Sequence, residues 1–155
     1  MDSFSTKLSI LADILVKKKT ALLTILNICE NQENLYDTPT TAERRDFLVA
    51  MGIEKQTQID NVLECDQIFQ QIFDAFGDEF ENMGQIYPEK VRILQDGIKE
   101  ILEIDIQIRA QEEKTKAAAN AAWGKFSQDA LKAPNPTNTN DILNKYRSNN
   151  RGGRR

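Results

Sequence analysis

Few side chains in this sequence have the types and spacing for chemistry. Asp66 and Asp105 are the leading pair, each at an a position inside an otherwise apolar heptad stripe. Paired carboxylates are raw material for acid–base work. Facing each other in an apolar seam they repel, so at least one needs a cation, an amide or water. Lys18, the odd residue in the stripe of the first helix, is the candidate counter-ion. The three are read first as a polar layer that sets helix register at some cost in stability. Partner binding is the second reading and catalysis the least favoured. Histidine is absent, which removes the commonest general base and metal ligand. Cys29 and Cys65 read as small hydrophobes in a reducing compartment. No P-loop, dinucleotide-binding, nucleophile-elbow or CxxC motif occurs. No catalytic, cofactor-binding or metal residue is therefore assigned, and the chain is read as a non-enzyme that needs no cofactor.

The elements that would position these residues are helices. Between Gln58 and Gln111 two amphipathic segments fold back at Gly84–Pro88. Ile59, Val62, Phe69, Phe73, Phe76, Phe80 and Met83 carry the seam of the first, and Val91, Leu94, Ile98, Ile101 and Ile108 that of the second. Apolar a and d positions give a narrow stripe, as in a coiled coil. Gly84 is read as the helix stop and Pro88 as the opening of the next helix. Upstream, Ser5 or Thr6 can cap a helix whose stripe is Leu8, Leu11, Leu15, Leu22, Ile25 and Cys29. Thr38-Pro39 is read as the start of the second helix, with Pro at its first position. The expectation is an all-α antiparallel three-helix bundle, or long helical hairpin with coiled-coil packing. It forms one domain over residues 1–132, with helices at about 5–32, 41–84 and 88–132. Residues 133–155 are read as a linker, a short helix near Asp141–Tyr146 and a disordered basic tail.

Lengths suggest an opening for a partner. Helices 2 and 3 would each span ~65 Å and helix 1 only ~42 Å. Helix 1 would then leave Phe73, Phe76 and Phe80 without a third neighbour, a groove able to accept another chain's helix. If helix 1 slides toward that end, the late part of helix 3 is left open instead. Trp123, Phe126 and Leu131 are the candidate partner surface there. Alternatively they pack on Phe47, Leu48 and Met51. Net charge is −4, but the last fourteen residues hold five cations and no acid, so the preceding 141 carry −9. The terminal Arg-Gly-Gly-Arg-Arg is a weak nucleic-acid signal in an acidic chain, and nucleic acid is an unlikely partner. No apolar run approaches a membrane span. The N-terminus lacks a signal peptide's basic flank and apolar block, so a cytoplasmic location is expected.

Four stretches carry a family resemblance. They are Leu11–Leu26 followed by Glu30-Asn-Gln32; Lys55–Leu63 with Asp66; Tyr87–Gln95; and Ile98–Glu113. In these the chain resembles the cytoplasmic flagellar export chaperones of the FlgN type, with the FliT type close behind. The resemblance implies a small helical chaperone. Such proteins bind the C-terminal helical segment of hook–filament junction proteins or of the filament cap. They keep these clients unpolymerised and deliver them to the export apparatus. It also implies a client site toward the C-terminal helical region, near Trp123 and Phe126. The alternative is a structural coiled-coil module or adaptor that self-associates, as a homodimer for instance, through the Phe-rich seam.

Overall fold

The structure, a computed structural model, describes residues 3–131, with side chains through residue 125. The chain is all-α, a bundle of long helices with no strand among the described residues. Helix α1 covers Ser3–Tyr36, α2 Ala42–Asp74, α3 Phe80–Ile86 and α4 Pro88–Leu131, with a 3₁₀ turn at Gly77–Glu79 between α2 and α3. The linker, the short helix near Asp141–Tyr146 and the basic tail expected at the C-terminal end lie outside the described residues.

Several boundaries differ from expectation, each for a local reason. Helix α1 is already helical at Ser3, so Ser5 and Thr6 do not cap it. Its far end runs past Gln32 to Tyr36, where the Thr38 hydroxyl donates to the Leu35 carbonyl at 2.7 Å. Pro39 lies in the following loop. Thr41 caps α2 instead, its hydroxyl accepting the Arg44 backbone N–H at 3.0 Å, and this satisfies one of the helix's four orphan donors. The second helix expected to reach residue 84 stops at Asp74. Gly77 has φ +57°, a left-handed conformation that costs a side-chain-bearing residue ~1–2 kcal/mol. Gly84 is not the stop; it sits inside α3. Tyr87, at φ −129° and ψ 64°, makes the turn. Pro88 then opens α4, as its fixed φ and missing N–H favour.

The chain forms two compact units, the first from Met1–Leu26 and Thr57–Ile108. Here residue numbers fall along α2 as they rise along α1: Phe4 meets Phe76 and Lys18 meets Asp66. These helices are antiparallel. Along α4 they rise together, since Lys90 meets Ser5, Leu15 meets Gly97 and Lys19 meets Glu100. The core holds Leu8, Leu11, Ile14, Leu15, Leu22 and Ile25 of α1. Against them lie Phe76, Met83 and, from α4, Val91, Leu94, Ile101, Ile104 and Ile108. Each such side chain contributes ~1.5–3 kcal/mol on burial. A Cβ at Gly97 would sit 3.1 Å from Leu15 Cδ1, so α1 and α4 approach closely there.

The first turn of α1 closes the turn end of this unit. Phe4 stacks on Phe76 with centroids 5.5 Å apart, and Phe80 meets Phe76 edge-on at the same distance. The Lys90 ammonium donates to the Ser5 carbonyl at 3.2 Å, the Ser5 hydroxyl at 2.5 Å and the Ser9 hydroxyl at 3.0 Å. The groove expected at Phe73, Phe76 and Phe80 is thus occupied by the chain itself. The reason is placement: α2 ends at Asp74 and α1 begins at Ser3 beside the turn, the alternative in which helix 1 slides toward that end.

The second unit comprises Asn27–Gln56 and Arg109–Arg155. The Thr115 hydroxyl donates to the Cys29 carbonyl at 2.9 Å, and Lys55 Nζ lies 3.6 Å from a Glu112 oxygen. Ile28 and Cys29 are buried, and Arg44 is the one buried charge among the described residues. Phe76→Ala should cost ~3–5 kcal/mol in urea unfolding, and Gly77→Ala ~1 kcal/mol through the backbone alone. A silent Phe76→Ala would show that the stack with Phe4 does not hold the turn end.

Candidate functional site

Of the expected polar layer, the fold brings two members together. Lys18 Nζ lies 2.5 Å from an Asp66 oxygen, with the side chains 23% and 48% exposed. Asp66 does not lie in the dry seam expected for it: its side chain is at the rim, where its charge keeps its water. Asp105 is half-buried on α4. A partly exposed pair such as Lys18–Asp66 is worth ~0–1 kcal/mol, so its use is in choosing register rather than in holding the bundle. Lys19 pairs with Glu100 at 2.6 Å on the α4 side. Adjacent lysines of α1 thus reach different helices.

The candidate partner residues separate. Phe76 is 2% exposed and belongs to the core. Phe80 is half-buried, with the Phe73 ring 4.7 Å away. Phe73 is 36% exposed and is the one of the three that reaches the surface. Trp123 is half-buried while Phe47 is 52% exposed. The side chains of Phe126 and Leu131 lie outside the described residues.

A surface not singled out from the sequence emerges on α4 within the first unit. Ile98, Leu102 and Ile106 are 41%, 58% and 67% exposed, while Ile101, Ile104 and Ile108 of the same helix are buried. Residues four apart advance only 40° around a helix, so the exposed three form one slanting ridge. Ile98 was expected in the seam; the 3.5-residue heptad drifts on a 3.6-residue helix and carries it to the edge. The signal was present in the sequence as apolar residues beyond the a and d positions.

Both cysteines are free, Cys29 buried and Cys65 half-buried. Burial pushes Cys29 up, against the lowering effect of the nearby Lys55 ammonium and its hydrogen bond. Cys65 is raised too, by burial and then by Asp66 and Glu64. Among the described residues no group of three His, Cys, Asp or Glu side chains is placed to hold a metal ion, and no helix is long and apolar enough to cross a membrane. No family model matches the chain, and neither a curated protein nor a solved structure matches it.

A thiol whose pKa is raised carries less thiolate at a given pH, so alkylation slows. With iodoacetamide at pH 8, both cysteines should react more slowly than in the urea-unfolded chain. Cys65 should be labelled first and Cys29, with no exposed surface, only on unfolding. Mass spectrometry over time reads this directly, and early labelling of Cys29 would contradict its placement.

Proposed function

We propose that this protein is a helix-binding carrier of the FlgN type. It would hold the C-terminal helical segment of a flagellar junction or cap protein and pass it to the export apparatus in the cytoplasm. The observation that carries the reading is the exposed ridge of Ile98, Leu102 and Ile106. An i, i+4, i+8 ridge is the shape that fits the groove of another helix. Single exposed apolar residues need no explanation, but three in register on a helix already buried on another face do. The acidic body and the lack of reactive groups in the sequence support the same reading.

Magnitudes bound the claim. Completing the burial of three half-exposed side chains is worth ~1 kcal/mol each. A micromolar complex needs ~8 kcal/mol, so the client must also engage neighbouring polar surface. Self-association through the Phe seam is less favoured, because Phe4 covers Phe76 within one chain.

The test is binding of a labelled C-terminal helical peptide from a junction or cap protein. Leu102→Glu should weaken it about 100-fold, the equivalent of ~3 kcal/mol, and leave the melting temperature within a few degrees. Absence of any complex with wild-type protein on a sizing column would sink the carrier role. Undiminished binding by Leu102→Glu would move the surface off the ridge.

A further inference from the structure

Arg44 is 4% exposed, and every interaction of its guanidinium lies in the loop before α2 or at its edge. Nη1 donates to the Thr38 carbonyl at 2.6 Å and to the Thr40 hydroxyl at 3.1 Å, and the ring of Tyr36 lies 5.5 Å from the guanidinium carbon. Nε and Nη2 are buried and donate to nothing. None of the ion pairs among the described residues includes Arg44. A buried charge left without a counter-charge is costly, and this one is also short of two hydrogen bonds.

Among the described residues no acid pairs with it. The C-terminal end of α1 carries about half a negative charge and the N-terminus of α2 about half a positive one. The loop joins these ends, so they largely offset each other and leave the guanidinium with its full charge. The unused atoms are also the informative ones. Nε and Nη2 form the side of the guanidinium that grips two oxygens of a carboxylate or phosphate in parallel. The loop that accepts from Nη1, residues 37–41, is exposed throughout.

We propose that Arg44, at the N-terminus of α2, is an oxyanion site: a carboxylate or phosphate takes the Nε–Nη2 side. The proposal shares no residue with the ridge on α4 and does not depend on the carrier reading. The experiment follows the Arg44 Nε–H and the Thr41 and Ala42 amides by NMR in the full chain. Sodium phosphate is titrated at constant ionic strength against sodium chloride. A second arm uses a short peptide with a free α-carboxylate and the same peptide amidated. Saturable shifts with phosphate or with the carboxylate peptide, absent with chloride and with the amide, are expected. Which arm saturates tells a free anion from one carried by a chain. Arg44→Lys should weaken the affinity about tenfold or more by removing the fork, and Arg44→Gln should abolish saturation. If Arg44→Gln does not fold, wild type and Arg44→Lys decide the matter. Shifts no larger than those in chloride, or equal affinity in Arg44→Lys, would overturn the proposal. Leu102→Glu should leave the titration unchanged, which separates this site from the ridge.

Discussion

The stack of Phe4 on Phe76 governs the first unit. It places the opening turn of α1 over the end of the bundle where the chain reverses, and thereby uses up the largest aromatic surface the sequence offers. Aromatic pairs of this kind add ~0.5–1.5 kcal/mol beyond the area they bury. More consequential than the energy is the geometry. With Phe76 inside, Met83, Val91 and Leu94 are enclosed with it, and within this unit the turn end is closed to another molecule.

That constraint decides between two ways a helical protein can meet a partner. One lends an unfinished core to the visitor; the other keeps its core and presents a raised edge. The ridge of Ile98, Leu102 and Ile106 is of the second kind. A partner bound there adds to a finished unit rather than completing one, so the free protein can be well folded before it binds. The pairs Lys18–Asp66 and Lys19–Glu100 fit this order of events, since they fix the alignment of α1 against its neighbours without help from outside.

Helix type and the core stripe were legible in the sequence because heptad spacing maps directly onto a face. Leu8, Leu11, Leu15, Leu22, Ile25 and Cys29 all lie inside, as that spacing requires. Pro88 marked a helix start for a similarly local reason. Less legible was the choice between glycines. Gly77 and Gly84 look alike in the sequence, yet one has a left-handed backbone and the other is helical. The length of α1 was misjudged at both ends, and with it the groove expected at the turn end. The pairing of Lys18 with Asp66 could be read from matching interruptions of two stripes; the outward turn of Asp66 could not, since periodicity fixes a face and not a rotamer. Arg44 gave no sign at all, because a charged residue in the first turn of an amphipathic helix is ordinarily solvated.

Lys90 ties this arrangement to a single amine. An ammonium has three donors, and all three are spent on uncharged oxygens of Ser5 and Ser9. Acylating that nitrogen would strip the charge and leave too few hydrogens to hold both serines. The first turn of α1 would then lose its tether next to the very ring that seals the bundle, so one small covalent tag could unlatch the aromatic lid while every other helix contact stayed in place.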